Sequence, residues 1–200
     1  FSWDASRDIK GLKVGYVKST FDETRSDKQW QANDKATLEV LRGLGVTLMP
    51  IELPDYPIDS MGLILNVEAA AAFDELTRSS LDDKLVRQIK NAWPNRFREA
   101  RTVPAVEYIQ ANRVRTLVMK AMQETLAGID AYVCPSWVGK NLHLTNLTGH
   151  PAVVLPNGLR QEGTPSSISF MGRLFQEDKM LALARAYQNA TGFHLKHPTL

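Results

Sequence analysis

The chain has 200 residues, of which 44% are hydrophobic and 23% are charged, and its formal net charge is only +2. This composition is typical of a globular domain and excludes a disordered chain. The near balance of acidic and basic residues argues against a surface built for nucleic acid, and no apolar run approaches the roughly 18 residues that span a bilayer.

The first third of the chain predicts a strand, a helix and a second strand. The apolar stretch "GLKVGYVKST" predicts a buried strand. Ser26 and Gln29 have the spacing of a capping box, which predicts a helix that stops at Gly45. The stretch "VTLMPIELP" predicts a second strand that ends at Pro54. Two strands joined by a helix in so short a segment predict a parallel pair with a right-handed crossover.

The middle of the chain is predicted to be helical in three segments. These are "NVEAAAAFDELTR", "LDDKLVRQIKNA" and a long helix from Pro104 to about Ala127. One face of the long helix is formed by Val106, Ile109, Val114, Leu117 and Ala121, and a second, nearly opposite, by Tyr108, Ala111, Arg115, Met119, Met122 and Leu126. A helix that is apolar on two sides is normally enclosed between layers, which predicts further structure beside it.

The last third predicts three more strands and a closing helix. The stretches "IDAYVCPSW" and "PAVVLPNG" predict buried strands, and "SSISFMGRLF" predicts a strand for which an antiparallel direction is considered. The stretch "EDKMLALARAYQNATG" predicts an amphipathic helix. Strands that alternate with helices predict the α/β class and one domain.

His150, in "TNLTGHPAVVLPNG", is a candidate general base because imidazole titrates near neutral pH. No Gly-x-Ser-x-Gly motif accompanies it, and no nearby carboxylate is evident to orient its ring. We therefore expect His150 to shape the start of a strand or to line a pocket. The other histidines, His143, His194 and His197, lack the spacing of metal ligands, and His194 and His197 are expected at the surface.

The serines of "GTPSSIS", which include Ser166, Ser167 and Ser169, are expected to start a strand, because no glycine-rich turn follows to stabilise an oxyanion. The glycines never form a phosphate-binding loop. The single cysteine, Cys134, excludes an internal disulfide and is expected to be a small packed hydrophobe.

Arg115 lies on the same predicted helix face as Tyr108, within an apolar stripe. A buried arginine must be paired or hydrogen-bonded. Two interpretations follow: an ion pair that braces the helix against the sheet, or an anchor for a catalytic or substrate-binding loop. Tyr108 and Arg115 are therefore structural-support candidates.

The order and spacing of several stretches resemble a known family. These stretches are "GLKVGYV", "ELP", "EAAAAFDELTR", "AVEYIQANRVRTLV", "DAYVCPS", "TNLTGHPAVVLPNG" and "GTPSSISFMGRLFQEDKMLALARAYQNATGFHLKHP". Over essentially the whole chain they resemble the C-terminal half of amidase signature enzymes. The most specific parts are residues 146–152 with Pro156 and Gly158, and the series Gly172, Glu177, Ala184 and Tyr187.

The resemblance implies an α/β fold in which helices flank a mixed, largely parallel sheet, with residues 1–200 forming the C-terminal portion of one domain. It implies an amide hydrolase whose Ser–cis-Ser–Lys triad lies upstream, so no residue of this chain is assigned a catalytic role. Residues 1–9 resemble the stretch just after that catalytic region. Neither a metal nor a cofactor is implied.

By position in the family, the substrate-pocket candidates are Ser136, Trp137, Asn141, Thr145, Asn146, His150 and Ser169. Residues 145–158 are expected to form a loop that is a wall of the pocket rather than the reacting centre. Many family members carry glutamine where this chain has Ser169, so the chain departs from the family there. The stretches "SSISFMGRLF" and "AYQNATGFH" look closer to stand-alone amidases than to the tRNA-dependent amidotransferases.

The expected partners are a small-molecule amide substrate and the missing N-terminal half of the same protein. A homodimer is also considered, whereas nucleic acid and membrane are not expected. The cytoplasm is the default compartment, and the periplasm is left open because a leader could precede the chain. The rival interpretation is a non-catalytic α/β binding or interaction module. A large exposed apolar surface would favour the enzyme fragment over that module.

Overall fold

The computed structural model describes residues 3–4 and 6–197, so Phe1, Ser2 and Ala5 of the predicted N-terminal segment lie outside the described residues. Two compact units are present: the first comprises Phe1–Pro54 and Ala121–Leu200, and the second comprises Asp55–Lys120. The strands are β1 (Lys13–Val17), β2 (Thr47–Ile51), β3 (Ala131–Pro135), β4 (Ala152–Leu159) and β5 (Pro165–Gly172). They form one sheet in the order β2-β1-β3-β5-β4, which belongs to the first unit.

The sheet has a parallel and an antiparallel side. Strand β1 pairs in parallel with β2 and with β3, and β5 pairs antiparallel with β3 and with β4. A helical crossover separates β1 from β2, as parallel neighbours require, whereas a short turn joins β4 to β5. The α/β class, the mixed sheet and the antiparallel direction considered for "SSISFMGRLF" are therefore confirmed.

Helices occupy much of the chain between and after the strands. In chain order they are α1 (Lys18–Asp22), α2 (Lys28–Gly43), α3 (Gly62–Ala72), α4 (Asp74–Arg78), α5 (Trp93–Ala100), α6 (Ala105–Thr125), α7 (Asn141–Thr148) and α8 (Glu177–Thr191), with 3-10 turns at Leu81–Lys84 and Phe193–Leu195. The predicted helices that correspond to α2, α6 and α8 are confirmed, whereas α1, α5 and α7 were not predicted.

Helix α2 begins one residue later than a Ser26 cap would place it. The carboxylate of Asp27 accepts the backbone N–H of Trp30 at 2.9 Å, so Asp27 is the N-cap and the predicted capping box is wrong. The predicted stop is confirmed, because Gly45 has a φ of +83° and its N–H donates to the carbonyl of Arg42 at 3.0 Å.

The main core lies where α2 and α8 pack on one face of the sheet. Its residues include Val14, Leu38, Leu41, Val133, Ile168, Phe170, Leu183 and Tyr187. On α2 the buried positions Asp34, Thr37, Leu38 and Leu41 follow helical spacing, so one stripe faces inward. The rings of Phe170 and Tyr187 lie 5.2 Å apart between their centroids, which joins the sheet to α8.

The second unit is helical and has its own small core around Phe97. The ring of Phe97 stacks on Phe73 at 5.3 Å and on Trp93 at 5.5 Å. The predicted helix over "LDDKLVRQIKNA" is wrong, because only the 3-10 turn Leu81–Lys84 forms there. The side-chain amide of Gln88 donates to the carbonyls of Asp82 and Leu85, and Pro94, in the first turn of α5, starts a new helix instead.

Helix α6 exposes one of its two predicted apolar stripes. Val106, Ile109 and Leu117 are 62%, 56% and 51% exposed, whereas Val118, Met122 and Leu126 are buried. Exposed apolar residues gathered on one helix face are typical of a surface that another chain segment covers. Over residues 3–4 and 6–197, no helix combines the length and the apolarity that crossing a membrane demands.

Candidate functional site

A cavity of about 180 Å³ lies at the carboxyl end of β3, in the first unit. It is lined by Pro135, Ser136, Trp137, Val138, Asn141, Leu142, Thr145, Asn146, His150, Ala152, Val154, Ser169 and Met171. All seven predicted pocket residues are in this group. The carboxyl ends of parallel strands are the usual place for ligands in open α/β sheets. That these side chains contact a substrate stays a prediction.

Ser136 and Trp137, the first two predicted pocket residues, directly follow strand β3. The strand is buried along its whole length and ends at Pro135, after which the chain turns sharply. Trp137 has a φ of +63° and is 77% exposed at the mouth of the cavity. A left-handed conformation is unfavourable for a bulky residue, and such strain persists only where the surroundings hold it. The turn after β3 is therefore a feature that the fold maintains.

Ser136 and Ser169 form a hydroxyl pair inside the cavity. Their oxygens are 3.0 Å apart, and both residues are buried. Ser169 reaches this place because β5 runs antiparallel to β3 and pairs Ser169 with Cys134, two residues before Ser136. Each hydroxyl can donate or accept, so the pair offers both functions to a bound polar group.

Helix α7 contributes Asn141, Thr145 and Asn146 to the cavity. Three of its four buried residues are polar, and the threonine hydroxyls are satisfied within the helix: Thr145 donates to the carbonyl of Asn141 at 2.9 Å, and Thr148 to that of Leu144 at 2.9 Å. The expected loop over residues 145–158 is therefore wrong. The segment is the end of α7, a left-handed cap at Gly149 and strand β4.

Asn141 is hydrogen-bonded to the fully buried Tyr132 of β3. The phenol of Tyr132 donates to the amide oxygen of Asn141 at 2.8 Å. Burial raises the pKa of Tyr132 well above its ordinary value, so the phenol stays protonated and remains a donor. This bond fixes the start of α7 relative to β3.

His150 is a neutral residue of the cavity wall. Its Nδ1 lies 2.7 Å from the hydroxyl oxygen of Thr148, whose single proton is donated to the carbonyl of Leu144. Nδ1 must therefore carry the hydrogen, and Nε2 is left as an acceptor. Burial lowers the pKa of His150 from its ordinary 6.5, so the ring is uncharged at pH 7.

Strand β4 differs from the buried strand predicted for "PAVVLPNG". It is the edge strand of the sheet, it is only partly buried, and it contains a bulge at residues 156–158. The amide nitrogen of Asn157 donates to Asp34 on α2 at 2.9 Å. Gly158 has a φ of +143°, and a Cβ there would lie 2.7 Å from Nδ2 of Asn33.

Arg25 and Asp34 form a buried ion pair next to Ser136 of the cavity, and this pair was not predicted from the sequence. Nε of Arg25 lies 2.9 Å from a carboxylate oxygen of Asp34, and Nη2 of Arg25 donates to the carbonyl of Ser136 at 3.0 Å. The guanidinium of Arg25 stacks on Trp30, 3.9 Å from its ring centroid. Asp34 was detectable in one respect, since it shares the inward stripe of α2 with Leu38 and Leu41.

Other predicted residues fall outside the cavity. Cys134 is fully buried, and burial raises its pKa to about 12, which confirms it as a packed hydrophobe. Ser166 and Ser167 lie near the start of β5, as predicted. His194 and His197 are exposed, also as predicted.

The two structural-support candidates lie on α6 in the second unit. The phenol of Tyr108 donates to the carboxylate of Glu68 on α3 at 3.0 Å, so Tyr108 joins two helices. Arg115 is half-buried. The ion pair between Arg115 and the sheet, and its alternative as a loop anchor, stay predictions.

Comparison with known proteins gives similarity along nearly the whole chain. The chain is 27% identical to a glutamyl-tRNA(Gln) amidotransferase subunit from Picosynechococcus sp., over 96% of this chain and 47% of that protein. It is also 27% identical to an amidase from Pseudomonas putida, over 96% of this chain and 46% of that protein. The chain spans about half the length of the curated relatives it matches. Equal identity to both leaves the preference for stand-alone amidases a prediction.

Solved structures share the fold. A bacterial aryl acylamidase of the amidase signature enzymes family superposes with a TM-score of 0.75 at 16% identity, over 96% of this chain and 46% of that one. The native peptide amidase from Stenotrophomonas maltophilia superposes with a TM-score of 0.69 at 18% identity, over 92% of this chain and 44% of that one. No family model matches the chain.

Proposed function

We propose, from the premise that this chain belongs to the amidase signature family, that the whole protein hydrolyses carboxylic amides. Similarity over 96% of the chain to a protein named amidase, together with the shared fold, supports this activity. The chain spans about half of those relatives, so the proposal concerns a longer protein of which these 200 residues form the C-terminal part.

The proposed chemistry is acyl transfer through a serine. A lysine takes up a proton by way of a bridging serine in a cis peptide, and a second serine attacks the amide carbonyl carbon. Backbone N–H groups stabilise the oxyanion, the amine leaves with a proton, and water then hydrolyses the acyl-enzyme. These groups belong to the part of the protein upstream of the chain. The chain contributes strands of the sheet and a wall of the substrate pocket.

The observation that carries the proposal is the cavity at the end of β3. The residues described as lining it include no Asp, Glu, Lys or Arg. They combine apolar side chains with uncharged polar ones: the hydroxyl pair of Ser136 and Ser169, the neutral ring of His150, and the side chains of Asn141, Thr145 and Asn146. An apolar cavity of about 150 Å³ holds a benzene molecule, so the cavity of about 180 Å³ suits one uncharged ring-sized group of an amide.

The exposed stripe of α6 supports an enzyme fragment over the non-catalytic module. Val106, Ile109 and Leu117 are each more than half exposed. A binding module that functions alone is expected to cover such a stripe, whereas the C-terminal part of a larger enzyme leaves it for the rest of the protein.

The test uses the full-length protein and a panel of uncharged amides, with release of ammonia or amine as the measurement. We expect Ser169→Leu, which fills the cavity, to lower kcat/KM at least about tenfold. Ser167→Leu is the matched control, because Ser167 lies on the same strand but does not line the cavity. The chain alone is expected to be inactive. A full-length protein that hydrolyses no amide of the panel would contradict the proposal.

A further inference from the structure

We infer that Arg25 is a positioning residue for the cavity: it holds the turn at Ser136 and Trp137, and Asp34 holds Arg25. The inference rests on the proposed function, because it assigns these two residues to the same site. Neither of them lines the cavity, so their action passes through the backbone of Ser136.

The guanidinium makes two directed contacts at once. Nε of Arg25 meets Oδ2 of Asp34 at 2.9 Å, while Nη2 donates to the carbonyl oxygen of Ser136 at 3.0 Å. The side chains of Arg25 and Asp34 are only 10% and 4% exposed, so water competes little for either contact. A planar guanidinium can serve both acceptors in fixed directions, which a lysine ammonium on a flexible stem does not do.

Two further residues, one on β4 and one on α2, fix the position of the ion pair. Asn157, in the bulge of β4, donates to Oδ1 of Asp34 at 2.9 Å. The ring of Trp30, in the first turn of α2, lies under the guanidinium at 3.9 Å. The contacts with the Trp30 ring and the Asp34 carboxylate fix the orientation of the guanidinium, so that it is held in place to donate to Ser136.

Ser136 connects Arg25 to the cavity, because it accepts the bond from Arg25 and also lines the cavity. Its hydroxyl lies 3.0 Å from that of Ser169, and the next residue, Trp137, has the left-handed φ of +63°. A strained turn keeps its geometry only when contacts around it oppose relaxation. The bond from Arg25 to the Ser136 carbonyl is such a contact, at the residue immediately before the strained one.

The charge state fits this role at neutral pH. Burial raises the pKa of Asp34 to about 6, against the opposing effects of Arg25 and Asn157, so the carboxylate is ionised at pH 7. The other titratable groups that influence or are influenced by Asp34 are Cys134 on β3 and Tyr187 on α8. Burial raises the pKa of both, so both are neutral at pH 7 and Arg25 is the charged partner of Asp34.

The test compares Arg25→Lys with Arg42→Lys in the full-length protein. Arg42 also pairs with a carboxylate from α2, that of Glu39, but their side chains are 49% and 73% exposed and do not line the cavity. Two quantities are measured: hydrogen exchange of the backbone amides of residues 136–140, and kcat/KM for benzamide and acetamide. Arg25→Lys keeps the charge beside Asp34, which protects folding while removing the two-armed contact.

We expect Arg25→Lys to speed exchange in residues 136–140 severalfold and to lower kcat/KM for benzamide at least about tenfold, with acetamide changed much less. Arg42→Lys is expected to change neither. Unchanged exchange, or an equal loss for both amides, would overturn the positioning role while leaving amide hydrolysis in place. A wild-type protein that hydrolyses neither these amides nor the wider panel would overturn the proposed function and, with it, the role of Arg25 in that function.

Discussion

Ser136 lies in the turn after β3 and Ser169 lies on β5, and their buried hydroxyl oxygens are 3.0 Å apart. Changing either one to alanine leaves the other without this partner, at a cost of about 1–3 kcal/mol in the free energy of unfolding. The double variant Ser136→Ala/Ser169→Ala is expected to lose less than the sum of the single losses, by about 1 kcal/mol. Denaturant titration of the four proteins measures this coupling, and strictly additive losses would show that the hydroxyls do not interact.

His150→Asn tests the assignment of the histidine to the cavity wall. The shorter amide can still donate to Thr148, whereas the acceptor at Nε2 is lost. We expect KM for an amide to rise severalfold and kcat to fall less than about tenfold, since removal of a general base lowers the rate by about 10² to 10⁴. Steady-state kinetics of the full-length protein measure both constants. A fall in kcat of more than a hundredfold with KM unchanged would assign proton transfer to His150.

Cys134 is expected to resist alkylation in the folded protein. Its thiol is fully buried and has a pKa of about 12, so neither access nor thiolate is available near neutral pH. Treatment with iodoacetamide at about pH 8, followed by peptide mass spectrometry, should leave the Cys134 peptide unmodified unless denaturant is present. Rapid labelling of that peptide in the native protein would contradict the burial of this strand.

Gly158→Ala is expected to cost more stability than Gly163→Ala. Both glycines have a positive φ, of +143° and +84°, so alanine is strained at each by about 1–2 kcal/mol. At Gly158 the added Cβ also meets Asn33, whose amide already bonds Ser166 and the Leu159 carbonyl, whereas at Gly163 nothing lies within 4 Å. Denaturant titration of both variants gives the difference, and equal losses would mean that Asn33 moves aside freely.

The raised pKa of Asp34 predicts that the free energy of unfolding depends on pH. This pKa is raised from 3.8 to about 6, so between these values the folded state binds a proton that the unfolded state has released. This contribution to stability is present at low pH and is lost as pH rises through about 6, with an upper size of about 3 kcal/mol. Asp34→Asn should remove it. The free energy of unfolding of both proteins, followed from about pH 4 to pH 7, should differ in slope in this window; parallel curves would contradict the prediction.

Much of the sheet could be predicted because its strands carry clear local patterns. The apolar runs of β1 and β3 and the amphipathic patterns of α2 and α8 correspond to elements that form. Helix α7 was missed because its buried face carries Asn141, Thr145 and Thr148, polar residues that resemble a loop. The cap of α2 was misplaced by one residue, since Asp27 and Ser26 are both good N-caps and only the fold chooses between them.

Part of the candidate site could be predicted from the sequence, and part could not. The seven predicted pocket residues were chosen by their position in a family that the sequence resembles, and the fold brings them to one cavity although residues 136 and 169 are far apart in the chain. Arg25 and Asp34 form no motif, and Arg25 lies 111 positions before Ser136, to whose carbonyl it donates. Such a contact depends on how α2, β3 and β4 pack together, which local sequence patterns do not contain.

The bulge in β4 shifts the alternation of side chains between the two faces of the sheet by one residue. Before it, Ala152 and Val154 line the cavity while Val153 and Leu155 pack on the core, as regular alternation requires. At the bulge two consecutive residues turn to α2: Asn157 supplies an amide to Asp34, and Gly158 leaves room for Asn33. A deletion of one residue there would remove the bulge and leave β4 paired in register with β5 on both sides, but only one residue could then face α2, so either the amide that bonds Asp34 or the space beside Asn33 would be lost. Length changes at this single position are therefore expected to be tolerated less well than in the neighbouring turn between β4 and β5.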